Sequence, residues 1–170
     1  MKHTAIAALV LVAALSLPCN AKMRGPSTAE ERARALDYIQ SLEENPLGRG
    51  TLEKRTWLTE WIVDVPDITV HVDYKELDSL DDVNNTYSNQ LRMQAVYSEA
   101  AYILRHPEEK NIATLKAAGL SGTLRAYRSI QRFDPATKYP VLDELQTLES
   151  QGKLLCYVQK HLESKESRVN

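Results

Sequence analysis

One seven-residue stretch restricts the fold more than any other. Residues 68–74 read Ile-Thr-Val-His-Val-Asp-Tyr, apolar and polar in alternation and rich in β-branched side chains, the pattern of a half-buried strand. No second convincing stretch of that kind occurs in the 170 residues. A strand without a neighbour leaves its main-chain donors and acceptors unpaired. The segment is therefore an extended piece packed on something else, a helix overriding its propensity, or a strand that pairs with a second copy. The rest of the chain follows the helical period. The expected class is all-α, a single domain of five to six helices with one extended segment near 68–74.

Proline and glycine mark where those helices break. Ser27-Thr28-Ala29-Glu30 fits a capping box opening a helix that runs to about Glu44, with Leu36, Ile39 and Leu42 as its apolar stripe. The run 45–50 (NPLGRG) separates it from a second helix starting near Thr51, which must stop before Pro66. A third is expected over 87–105 and a fourth over 108–133. A fifth starts at Pro140, a favourable first-turn residue, and a sixth follows Gly152 with Leu154, Leu155, Val158 and Leu162. The domain is expected over 28–163, between a flexible lead-in at 22–27 and a disordered tail at 164–170.

The first 21 residues read as a cleaved signal peptide. Lys2 and His3 precede a 13-residue apolar run, too short for the ~20 residues of a membrane span, and Cys19-Asn20-Ala21 places small residues before a cut. Lipidation at Cys19 is disfavoured by Pro18. The expected location is periplasmic or extracellular, with no membrane span after signal removal. Without its leader the chain keeps 149 residues, with 20 basic against 23 acidic side chains and a formal charge of −3. That near-neutral balance argues against nucleic acid as a partner. It also keeps a single cysteine, Cys156, flanked by apolar residues in LLCYV and expected to be buried and inert.

Several constellations could carry function. Trp57 and Trp61, one turn apart, are core anchors or an aromatic platform. Gly119 and Gly122 sit mid-helix, where each costs ~1 kcal/mol relative to Ala. Close helix contact or a groove for a ligand or partner helix would offset that. Arg125, Arg128 and Arg132 share a helix face, with Lys116 further back. They meet an anionic partner, pair with Asp143, Glu144 and Glu149, or remain solvated. Asp64, Asp67, Asp73, Glu76, Asp78, Asp81 and Asp82 form an acidic run without the glycine and spacing of a calcium loop, so a solvated face is expected rather than a weak cation site. His71, His106 and His161 complete no zinc or nucleophile motif, and no catalytic residue, metal or cofactor is expected. Asn84-Asn85-Thr86 matches a glycosylation acceptor and equally a helix start.

Tyr38 to Pro46 and Tyr127 to Pro135 share an aromatic-to-proline offset found in tetratricopeptide helices. They lack that motif's small residues and its roughly 34-residue period, so the offset reflects helix endings. The stretches TWLTEWIVDVPDITV, YSEAAYILRHPEE, LRAYRSI and LDELQTLESQGKLLCYV resemble a group of small exported bacterial helical proteins with no assigned activity. The resemblance spans most of residues 50–160. It implies export and an all-α fold and carries no catalytic residue or ligand.

The leading functional expectation is a non-enzymatic protein- or ligand-binding module, with a protein partner in the cell envelope. Its candidate binding residues are Trp57, Trp61, Gly119, Gly122, Arg125 and Arg128. The alternatives are a small envelope hydrolase or enzyme subunit using carboxylates with His71 or His106, and a self-associating structural protein joined through 68–74.

Overall fold

The computed structural model describes residues 24–80 and 87–169, with side chains through 164. Its elements are α1 (Ala29–Glu44), α2 (Thr51–Asp64), a 3₁₀ helix (Lys75–Leu80), α3 (Ser88–Arg105), α4 (Ile112–Phe133), α5 (Pro140–Ser150) and α6 (Leu154–Val169). The all-α class is as expected, and no strand occurs among the described residues. The leader with Cys19, the acids Asp81 and Asp82, and Asn84-Asn85-Thr86 lie outside the described residues. None of the described helices is long and apolar enough to cross a membrane.

The first helix begins one residue later than its sequence indicates. Thr28 is the N-cap, accepting from the Glu31 N–H at 3.2 Å, while Glu31 accepts from the Thr28 N–H at 2.9 Å. Ser27 is unavailable as a cap because its hydroxyl donates to Asp67 at 2.7 Å and accepts from Arg32 Nε at 2.8 Å. Within the expected lead-in, Arg24 also pairs with Glu31. Gly50, at φ +74°, makes the left-handed turn into α2. The fourth helix starts at Ile112, not Glu108: Glu109 accepts the N–H groups of Lys110 and Asn111, and Asn111 caps Thr114. At the other end α6 runs through Val169, so the boundary expected at 164 falls inside a helix.

Two apolar clusters form the core. One joins Ala35, Ile39 and Leu42 of α1, Leu58 and Trp61 of α2, and Tyr97, Ala100 and Ala101 of α3. The other joins the 3₁₀ helix, α3, α4, α5 and α6 through Leu77, Leu80, Leu91, Leu120, Leu124, Tyr127, Leu142, Leu145 and Val158. Helices α3 and α4 share the largest interface.

Residues 65–74 run as an irregular strap between the clusters. Val65 and Ile68 insert into the first, Tyr74 into the second, and Val70 contacts both. This accounts for most of the period-two pattern without a sheet: Ile68, Val70 and Tyr74 reach inward from an extended chain lying on a core, while Val72 breaks the alternation and is exposed. The strap's main chain is held by side chains instead of a ladder. Glu99 accepts the His71 N–H at 3.0 Å, and Lys116 donates to the Asp73 carbonyl at 2.6 Å.

Cys156 corrects the expectation of a buried thiol. It is exposed, because α6 turns Leu154 and Val158 inward and Cys156 lies midway between them, on the outer side.

Candidate functional site

Helix α4 carries both glycines on the face that meets α3, and each makes room for a buried carboxylate's network. A Cβ at Gly122 would stand 1.9 Å from Ser98 Oγ, 2.1 Å from Ser98 Cβ and 2.7 Å from Glu43 Oε1. A Cβ at Gly119 would stand 2.1 Å from the Tyr74 hydroxyl and 2.7 Å from the Ala95 carbonyl oxygen. Both glycines are buried within this contact. The close approach offsets their cost in helix propensity, and neither presents a surface.

Around Gly119 the carboxylate is Glu99, fully buried. It accepts from the His71 N–H at 3.0 Å, lies 2.6 Å from His71 Nδ1, and accepts from the Tyr74 hydroxyl at 2.5 Å. Burial, reinforced by the Glu99 charge, pushes the Tyr74 phenol far above its ordinary pKa, so it stays a donor. Lys116 is buried alongside, 5.0 Å from the Tyr74 ring and 3.5 Å from Asp73. It faces the strap and takes no part in the arginine stripe to which its spacing assigned it.

Around Gly122 the carboxylate is Glu43, in the last turn of α1. Ser98 donates to its Oε1 at 2.7 Å and receives a hydrogen bond from Gln94 Nε2 at 3.0 Å. From the solvent side Arg125 donates Nε to Oε2 at 2.7 Å and Nη2 to Oε1 at 2.8 Å. The two-pronged contact to Glu43 holds the Arg125 proton more tightly than usual, against a desolvation cost acting the other way. A chain of polar contacts thus runs Gln94–Ser98–Glu43–Arg125 from the α3–α4 interface to the surface.

It ends in an open groove of about 490 Å³ between α1, the end of α3 and α4. Arg105, Arg125, Arg128 and Arg132 line it with Ile39, Gln40, Glu43, Glu44 and Ser129. Arg128 is held by Glu149 of α5 at 2.7 Å, one of the pairings its sequence suggests. Arg125 instead reaches Glu43, 82 residues away. Arg132 donates to Ser129 at 2.7 Å. Among the described residues, neither Arg132 nor Arg105 has a carboxylate within ion-pair distance. The lining holds four arginines and two glutamates, and Glu149 against Arg128 brings the local net charge to +1.

No protein-family model, curated protein or solved structure matches this chain.

The tryptophans lie elsewhere. Trp61 is buried, and Trp57 is half-buried against it with ring centroids 5.7 Å apart and planes 11° apart. Tyr38 meets Trp57 edge-on at 5.4 Å, and the Arg34 guanidinium sits 5.3 Å from its ring. Trp61 is covered by the protein's own groups, and Trp57 keeps one part of its surface exposed beside Tyr38, Arg34 and Trp61. The acids of the 64–78 run also have partners: Asp67 meets Arg32, Asp78 lies 3.6 Å from Arg92, and Asp73 and Glu76 flank Lys116. Among the described residues no three His, Cys, Asp or Glu side chains are grouped to hold a metal.

Of the six residues singled out by sequence, Arg125 and Arg128 reach the groove. Glu43, Ser98, Glu99 and Arg105 were missed. Glu43 follows Ile39 and Leu42 on the apolar stripe of α1, and Glu99 follows Ala95 on that of α3, so an acid at an inward-facing register was the available signal.

Proposed function

We propose that this chain is an exported, non-enzymatic helical domain that binds an anionic ligand or partner in the groove between α1 and α4. The observation that carries this reading is the convergence of Arg105, Arg125, Arg128 and Arg132 on one groove, with Arg125 fixed from beneath by the buried Glu43. Guanidinium groups keep their charge at every accessible pH and present forks of donors suited to oxyanions. Holding two of them in place before binding lowers the ordering cost of association. The leader supports export, and the site would then face the cell envelope or the medium. The envelope partner expected from sequence would meet this groove through an acidic group.

The hydrolase alternative draws on the His71–Glu99 contact. All three polar contacts to Glu99 come from the strap, which makes that arrangement an anchor for residues 65–74. Assembly through the edge of 68–74 that carries His71 and Asp73 would compete with main-chain groups already bonded to Glu99 and Lys116.

The test is thermal unfolding at constant ionic strength with a panel of anions: sulfate, phosphate, citrate and a hexaglutamate peptide. At a hundredfold excess over Kd, a bound anion should raise Tm by roughly 5–10 °C. The double variant Arg105→Gln/Arg132→Gln should lose that increment while unfolding normally in its absence. An increment equal in both proteins, or none for any anion, would refute the groove as the site.

A further inference from the structure

Taking the groove to be an anion site, we infer that its ligand carries a doubly charged tetrahedral oxyanion of the phosphoryl type rather than an isolated carboxylate. Three observations lead there. First, the groove already contains the carboxylate that best suits it. Glu43 occupies the Nε–Nη2 edge of Arg125, the edge that pairs side-on with a planar carboxylate. A second carboxylate would have to displace an internal one that Ser98 also holds.

Second, the donors left over point from separate places. Arg125 retains Nη1, Arg128 spends only one nitrogen on Glu149, Arg132 spends one on Ser129, and Arg105 approaches from the end of α3. A planar group with two oxygens on one edge satisfies one fork. A tetrahedral group offers three or four oxygens in different directions and can meet several guanidiniums together.

Third, two guanidiniums are left open. Glu43 and Glu149 already match Arg125 and Arg128, whereas Arg105 and Arg132 have no carboxylate within ion-pair distance among the described residues, and the two charges of a dianion can answer both where a monocarboxylate answers one. The volume of about 490 Å³ exceeds what a bare oxyanion fills and lies within the range of small-molecule sites, so the ligand has space for an attached organic group.

Calorimetric titration of the protein with inorganic phosphate, glycerol phosphate, sulfate, acetate and malonate, at constant ionic strength, tests this. At pH 7.5 the three tetrahedral anions should bind at least about tenfold more tightly than acetate or malonate, the fold-change of ~1.4 kcal/mol. Between pH 7.5 and pH 5 glycerol phosphate should weaken about tenfold relative to sulfate, because its second ionisation lies near pH 6 while sulfate keeps both charges. Equal affinity for inorganic phosphate and its monoester would identify the bare oxyanion as sufficient. A preference for the monoester would identify a ligand carried on a carbon skeleton. Both support the tetrahedral class. Tighter binding of malonate than of any tetrahedral anion, abolished by Arg105→Gln/Arg132→Gln, would overturn the class and leave the groove standing. Absence of binding by every anion would overturn both.

Discussion

Gly122→Ala should destabilise the domain by roughly 3 kcal/mol, although alanine is the better helix former by ~1 kcal/mol. The new methyl would lie 2.1 Å from Ser98 Cβ, an atom fixed to the backbone of α3 that no rotamer can move. Helices α3 and α4 would have to separate by more than 1 Å to restore ordinary contact. That separation would also pull Ser98 from Glu43, leaving a buried carboxylate with one donor fewer. For a domain of this length the loss corresponds to a Tm fall of roughly 6–12 °C. Ser98→Gly in the same chain removes two of the three clashing atoms, leaving Glu43 Oε1, and should restore part of the loss, so the two changes should be strongly non-additive. Thermal and urea unfolding of the four proteins in that cycle measure it. A Gly122→Ala variant as stable as the parent would mean that α4 does not approach α3 this closely.

Glu99→Ala should cost about 3–5 kcal/mol, the range for removing one partner from a buried charged network. The side chain is fully buried, and its loss strands the His71 N–H and His71 Nδ1 and leaves the Tyr74 hydroxyl only its longer contact to the Ala95 carbonyl at 3.4 Å, beside an unfilled space. Tyr74→Phe removes one donor and leaves the carboxylate with two, so it should cost only about 1–2 kcal/mol. The damage should be graded in space as well. Amide hydrogen exchange in Glu99→Ala should accelerate first in the strap at 65–74, whose attachment to α3 runs through this residue, and least in the α4–α6 contact. Equal protection in both proteins along the strap would show that Glu99 does not anchor it.

Helix positions were legible in the sequence because Pro46, Pro66, Pro107, Pro135 and Gly152 punctuate apolar stripes of period 3.6. The 3₁₀ helix at Lys75–Leu80 was not, since two short turns leave no periodic signal and its residues read as a polar loop. The cap slipped from Ser27 to Thr28 because Asp67, forty residues away, claims Ser27. That tertiary competition is invisible to local pattern. The arginine stripe of α4 was readable from its spacing, but Arg105 and Glu43 come from other helices and meet it only once α1, α3 and α4 pack. The two glycines signalled close approach correctly in kind. What approaches is polar, because Glu43 and Glu99 occupy inward registers that composition alone assigns to the surface.

The most direct measurement of the central claim is a proton–nitrogen correlation spectrum of the arginine side chains, recorded while sulfate replaces chloride at constant ionic strength. The Nε–H signals of Arg105, Arg125, Arg128 and Arg132 should move together and saturate with one dissociation constant, while those of Arg34 and Arg55 stay in place. Small, unsaturable shifts spread evenly over all arginines would contradict a built anion site in the groove.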